Sequence, residues 1–318
     1  MQMEKPTMLA NNIDIADINA RYDEQCKKLL SYKRIIAYIL TSVTEEFRGL
    51  APDEAEKYIG ERTVSTEAVD PDTPDRILGN STENAFTGEG TRFFDIKFRA
   101  SAPDGSGGAI ELIINIEAQN ITDNINSVLK RGMYYCGRLL SSQYGTEFKG
   151  SDYDKLKKVY SIWICLDANK ERENTVVQYS IKPEVMIGNY PDTSSEKAGY
   201  DMLSMIMINL GNTSKSKDGI IGLLGTLLLD NDVAEKKIRL DNDFGIPMTE
   251  TFDKEVFDMC NLSSYVENRG IEKGIEKGIE KGRLETIKEI VSSGIMSAEK
   301  AAKVFGLPIE KIKEICSE

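Results

Sequence analysis

Asp95 and Glu117 are the two acids whose setting could support chemistry, because each lies in an alternating run of apolar and polar residues. In the first run Phe94, Ile96 and Phe98 fall on one side and Asp95, Lys97 and Arg99 on the other, since successive strand side chains point to opposite faces. In the second, Leu112, Ile114, Ile116 and Ala118 share a face opposite Glu111, Ile113, Asn115, Glu117 and Gln119. Between them, Ala102-Pro103-Asp104-Gly105-Ser106-Gly107-Gly108 is turn chemistry. The spacing predicts a hairpin over 92–119 that brings Asp95 and Glu117 to one polar rim. Two carboxylates on neighbouring strands, with Gln119 two residues beyond the second, form an oxygen-rich set suited to Mg²⁺, which takes few carboxylates plus water and phosphate. Such an ion activates water and offsets charge growing on a phosphate. The plain alternative is a polar strand face that is simply solvated.

The order Asp95, then Glu117-Ala118-Gln119 after an apolar run, resembles the PD-(D/E)XK nuclease superfamily. The wider chain is similar to its transposase-like branch, the recombination-promoting nuclease family. That likeness rests on Glu89-Gly90-Thr91-Arg92-Phe93-Phe94-Asp95-Ile96, Asn115-Ile116-Glu117-Ala118-Gln119, Lys130-Arg131-Gly132-Met133-Tyr134-Tyr135 and Val159-Tyr160-Ser161-Ile162-Trp163-Ile164-Cys165, and it covers roughly residues 33 to 270. The resemblance implies an α/β fold with a restriction-endonuclease-like mixed central sheet flanked by helices, followed by an α-helical C-terminal extension. It implies Mg²⁺-dependent hydrolysis of phosphodiester bonds in DNA, with Mn²⁺ able to substitute. The cation would be held by Asp95 and Glu117, joined by Glu46 or by the carbonyl of Ala118. Phe94 stands where the eponymous Pro would be, and Gln119 stands where most of the superfamily has Lys. Gln positions water but carries no charge, so Lys97, on the Asp95 face, is the candidate for a displaced lysine. The helix after the second acidic strand would lie across the sheet, where Lys130, Arg131 and Tyr135 would meet DNA phosphate. The alternative is a catalytically weak or inactive module of this scaffold that binds DNA or protein partners.

Several elements must position these groups. Ile35, Ile36, Ile39, Leu40, Val43, Phe47 and Leu50 predict a helix over 33–50, clustering within about 140° at 100° per residue. Glu46 falls inside that stripe, resembling the helical Glu that such nucleases carry near the metal; otherwise it is a marginal carboxylate reaching solvent. A second helix is expected over 125–143, and a strand over 159–166 covered on both faces. Strands over 176–181 and 203–210 and a helix over 219–229 complete a nuclease-like domain spanning 21–230. Residues 1–20 read as a flexible leader, 62–69 as a strand and 70–75 as a Pro-rich loop. A helical extension over 231–268 is broken at Gly245-Ile246-Pro247, after which Thr249 is placed to cap. Gly-Ile-Glu-Lys repeats over 269–284 read either as a pairing helix or as a linker, and 285–318 as a small helical tail with Ser297 as a cap. The pattern from Ser297 to Leu307 resembles the first half of a helix-turn-helix. The helix that follows balances Glu310 and Glu314 against Lys311 and Lys313, a poor charge for a DNA groove, so oligomerisation between chains through these helices, or protein docking, is the expected role.

Composition narrows the field. The chain has 40 basic and 52 acidic residues, a net charge of −12, which argues against a general nucleic-acid coat and leaves only local phosphate contacts. It contains no histidine, which removes Ser-His-Asp hydrolases, His-metal phosphodiesterases and zinc proteases together. Five scattered cysteines without metal-type spacing fit a reducing cytoplasm. The most apolar run, Gly219 to Leu229, is far short of a membrane span.

Overall fold

The computed structural model describes residues 21–317 except 61–82, 87–89, 94–95, 105, 107, 120–124, 167, 191–195, 212–217 and 231, with backbone alone for 83–86, 90–93, 119, 263–277, 279–281 and 317. The readings of a leader over 1–20, a strand over 62–69 and a loop over 70–75 therefore lie outside the described residues, as does Asp95.

The helix expected over 33–50 is shorter than that span. A helix α1 over 21–30 precedes α2 (Lys33–Val43), and α2 stops one turn before the apolar stripe does. Thr44 ends it: its backbone is extended (φ −105°, ψ 147°) and its hydroxyl turns back to donate to the Leu40 carbonyl at 2.8 Å. Residues 45–49 form a turn that closes at Gly49, whose φ of 92° suits glycine. Phe47 continues the stripe into the core without being helical. A short helix α3 (Pro52–Ala55) follows, with Pro at its start, where the missing N–H costs nothing.

Strands β1 (Glu83–Phe86) and β2 (Gly90–Phe93) pair with each other in a small antiparallel ribbon. Five more make the main sheet: β3 (Ile96–Pro103), β4 (Ala109–Gln119), β5 (Lys158–Cys165), β6 (Thr175–Ser180) and β7 (Leu203–Asn209), ordered β3-β4-β5-β7-β6. The hairpin is antiparallel, with Lys97 opposite Asn115 and Ile96 opposite Ile116. The β4–β5 and β5–β7 pairs are parallel and β6–β7 is antiparallel, so the sheet is mixed. β5 is central, and all eight of its residues are buried, as a near-continuous apolar run requires.

The register assigns each residue to a face. Ile96, Phe98, Leu112, Ile114, Ile116, Tyr160, Ile162, Ile164, Ile206 and Ile208 enter one core with α1, α2 and α6 (Gly219–Leu228). Ile113, Val159, Trp163, Cys165, Met205 and Met207 enter a second core on the other face, covered by α4 (Ile125–Ser141) through Val128, Cys136 and Leu139. Gly132 sets the closeness of α4 to the sheet: a methyl group there would meet Met205 Cε at 2.2 Å and Trp163 Nε1 at 3.1 Å.

Asp232 caps α7 (Val233–Asn242), its carboxylate accepting from the backbone of Ala234 and Glu235, both at 3.0 Å. Leu240, Phe244, Ile246, Phe252, Val256 and Met259 all join the first core. The expected helical extension is thus built into the main body, because its apolar side chains have nowhere else to bury. A short helix α5 (Lys197–Tyr200) precedes β7, and α8 (Glu250–Ser292) runs as unbroken helical backbone through the glycine repeats. Thr249 caps it as expected, its hydroxyl oxygen accepting from Phe252 N at 3.3 Å.

The chain divides into two compact units, the first ending at Leu262 and the second covering Ser263–Glu318. The second unit holds a small core of Ile287, Ala301 and Ile312, formed by the end of α8 with α9 (Ala298–Phe305) and α10 (Ile309–Ser317). Ser297 accepts from Lys300 N at 3.4 Å to start α9, and Gly306 ends it in the left-handed region (φ 65°, ψ 34°). No helix among the described residues is long and apolar enough to cross a membrane.

Candidate functional site

Glu117 is the described acid that the fold treats unusually. It lies near the end of β4, an interior strand, and is 7 % exposed. Alternation puts it on the face of Ile113 and Asn115, beneath α4, and opposite Trp163 of β5. A buried carboxylate is costly unless it is hydrogen-bonded, and Asn115 Nδ2 donates to its Oε1 at 3.1 Å. Asn115 is fully buried, and in the register Lys97 of β3 stands on one side of it and Ser161 of β5 on the other. One sheet face thus carries Lys97, Asn115, Ser161 and Glu117 in adjoining positions.

Lys97 is half-buried, and burial pushes its ammonium below its ordinary value, assisted by repulsion from Arg99 and opposed by Glu147. Glu147 itself is tied to Arg99 and lies 2.7 Å from Lys157, and Lys157 also pairs with Glu111. This ion network pins the hairpin to the loop after α4.

From above, α4 brings two of the residues expected to meet DNA to Trp163. The Arg131 guanidinium lies 4.8 Å from the centroid of that ring, and the Tyr135 ring 5.5 Å from it. Lys130 is exposed. Trp163 donates through Nε1 to Ser161 Oγ at 2.9 Å, so the indole joins the buried polar row to the helix. Cys136 and Cys165 lie in the same core, and burial pushes each thiol up to about 12, which makes them inert packing groups. All five cysteines are free.

The remaining expected residues fall as follows. Asp95 lies outside the described residues, immediately before β3, and Gln119 ends β4 opposite Cys165 with its side chain outside them. The Ala118 side chain packs on the opposite face, against the first core, as alternation demands.

Glu46 does not join Glu117, and that expectation is corrected. Its Oε1 accepts from Lys158 Nζ at 2.8 Å and its Oε2 from Tyr160 OH at 2.6 Å, while Lys158 also reaches Asp201 Oδ2 at 2.6 Å. Lys158 and Tyr160 alternate onto the first core's face, opposite to that of Glu117. Lys158 also stands opposite Leu112, five residues before Glu117, or roughly 16 Å along the strand. Because α2 ends at Val43, Glu46 sits in a turn whose direction is set by this ion cluster.

Two residues of the polar row, Asn115 and Ser161, had no assigned role in the sequence. Their signal was present as polar residues in otherwise apolar inward positions, but alternation alone gave Asn115 to a solvated face.

Beside Glu117 stand the Asn115 amide, whose nitrogen faces the carboxylate, and the main-chain carbonyl of Ala118. Carboxylate and carbonyl oxygens are the ligands that a hard divalent cation takes. Among the described residues no group of three or more Cys, Asp or Glu is placed to hold a metal unaided, so such an ion would need Asp95 or water to complete its shell. In comparisons with known proteins, no family model, no curated protein and no solved structure matches the chain.

Proposed function

We propose that the chain is a Mg²⁺-dependent deoxyribonuclease of the PD-(D/E)XK kind, hydrolysing phosphodiester bonds in DNA. The observation that carries this reading is the buried Glu117 carboxylate on an interior strand, held by the Asn115 amide, with Lys97 of β3 opposite that asparagine across the hairpin. Asp95, Glu117 and the Ala118 carbonyl would hold the cation. When bound, the ion lowers the pKa of its water and draws charge from a phosphoryl oxygen. The protein groups have separate tasks. Asn115 fixes the Glu117 carboxylate, Gln119 orients the attacking water through its amide, and Lys97 provides the positive charge that Gln119 lacks. Arg131, braced on Trp163, and Lys130 would meet the phosphate backbone, a local contact on a chain of net charge −12.

One observation favours a second reading. The near-complete burial of Glu117, together with Gln119 in place of lysine, suits a catalytically weak module that keeps the scaffold to bind DNA or a protein partner.

Titration of Mn²⁺ into the full chain by calorimetry, with supercoiled-plasmid nicking measured in parallel, separates the two. Expected are binding heat and nicking in the wild type, and loss of both in Asp95→Ala and Glu117→Gln. Heat without nicking selects the binding module, and equal nicking by wild type and Glu117→Gln overturns the nuclease.

A further inference from the structure

Asn115 offers more than it uses. It is fully buried in the middle of β4, where its amide has two donors and two acceptor lone pairs to satisfy. Nδ2 donates to Glu117 Oε1 at 3.1 Å, and a carboxylate can only accept, so the amide must present its nitrogen there. Oδ1 is therefore the amide atom that Glu117 leaves unused, and it has no hydrogen-bond partner among the described residues. A sealed oxygen left so loses its water and gains nothing, and such atoms are rare in folded proteins. If the position were only structural, an apolar side chain such as that of Ile113, on the same face of the same strand, would fill it at no such cost.

The surroundings indicate what the oxygen is kept for. It lies on the face of the one described carboxylate that the proposed site uses, and its register neighbours are the lysine of β3 and the serine of β5. An amide oxygen is a neutral hard donor of the kind divalent Mg²⁺ and Mn²⁺ accept, directly or through a coordinated water. A neutral donor also has a use that a third carboxylate would not, because it leaves a phosphate approaching the same place with less negative charge to meet.

We infer that Asn115 is a further residue of the cation site, a positioning residue for Glu117 through Nδ2 and an oxygen donor to the hydrated cation through Oδ1. The inference rests on the carboxylate-site reading given above and adds to it a residue with a separable effect. Replacing Asn115 by Ala removes both interactions, whereas Asn115→Asp keeps the acceptor oxygen and adds a charge but gives up the donor to Glu117 Oε1.

The test is calorimetric titration of Mn²⁺ alone into the full chain, comparing wild type, Asn115→Ala, Asn115→Asp and Glu117→Gln, with circular-dichroism melts to confirm folding. Expected are wild-type binding, about tenfold weaker binding in Asn115→Ala, and binding in Asn115→Asp at least as tight as wild type. Plasmid nicking by Asn115→Asp should nevertheless fall about tenfold, as the added charge repels phosphate, a split that a packing role would not produce. Wild-type affinity in Asn115→Ala, with Glu117→Gln impaired, overturns the role of Asn115 and leaves the Glu117 site standing. Absence of Mn²⁺ heat in the wild type overturns the site and this inference together. Should Asn115→Ala fail to fold, the apolar variant of similar size, Asn115→Leu, decides: it lacks both polar atoms, and wild-type Mn²⁺ affinity there overturns the role of Asn115.

Discussion

Lys158 shows how a single side chain redirected an expectation. Its ammonium is gripped by Glu46 and Asp201 at the start of β5, with both the lysine and Glu46 only 9 % exposed. Burial opposes its charge, but the hydrogen bonds to Asp201 and Glu46 outweigh that penalty and hold its pKa well above the ordinary 10.5. Removing one partner of such a cluster leaves buried charge uncompensated, so Lys158→Met should lower unfolding free energy by about 3–5 kcal/mol in urea titrations. An unchanged midpoint would mean that water already screens the cluster. The same residues set the alkaline limit. Lys158 has a raised folded pKa, and the Cys136 and Cys165 thiols rise from 9.0 to about 12, so each contributes stability that is whole below its unfolded pKa and lost as pH climbs toward its folded one. Stability should therefore fall between pH 9 and 12, and the double variant Cys136→Ala, Cys165→Ala should flatten that slope in a series of urea melts. Glu46 was legible as a half-buried acid, but its partner lies 112 residues away, and no local pattern names such a partner.

At the scale of elements, α4 and the sheet must approach closely for the polar row to be covered, and Gly132 is the point of contact. A Cβ there would lie 2.5 Å from Met205 Sδ, and Met205 is itself buried, so it cannot simply swing aside. Gly132→Val should cost about 1–3 kcal/mol through overpacking. It should also red-shift and broaden Trp163 emission as α4 lifts, whereas Gly137→Ala, where nothing lies within 4 Å, should leave both unchanged. The opposite margin of the sheet differs in kind. β6 is an edge strand without a charged residue, and Val176 and Val177 are exposed on it, as are Ile181, Val185, Met186 and Ile187 just beyond. Uncharged edges invite pairing with other chains, so Val177→Lys should lower the concentration-dependent association seen by light scattering without changing the melting temperature. Identical association in both forms would show that this edge is not the sticky surface.

For the molecule as a whole, the division at Leu262 leaves the first unit with two cores, one on each face of its sheet, and the second unit with a small core of its own. Among the described residues the second unit buries Ile287, Ala301 and Ile312 at its centre, with partly buried neighbours such as Val291, Phe305 and Leu307 packed against them, a small core. Ile312→Asp should abolish the helical signal of that unit, while near-ultraviolet dichroism from Trp163, the single tryptophan of the chain, stays native. Loss of both signals together would show that the first unit depends on the second. The net charge of −12 and the absence of histidine act at this scale too: on the proposed reading, contact with DNA would be confined to a local patch, and no histidine could serve as general base.

The sequence by itself determined the elements and their faces. The hairpin alternates from Ile96 onward as its apolar pattern demands, while Arg92 and Phe93 of the expected 92–119 span pair with β1 in the small ribbon instead; the buried strand at 158–165 follows from its unbroken β-branched and aromatic run, and Thr249 and Ser297 cap where their hydroxyls precede an apolar helix. These are short-range consequences of backbone geometry and burial, so residue order suffices for them. Only the tertiary structure decided that Glu46 faces away from Glu117, that the 231–262 helices belong to the main core, and that Asn115 and Ser161 are sealed under α4 and not exposed to water. Those outcomes depend on which strands become neighbours and which helix covers each face, and a chain's local periodicity places a side chain on a face without fixing what will lie against it.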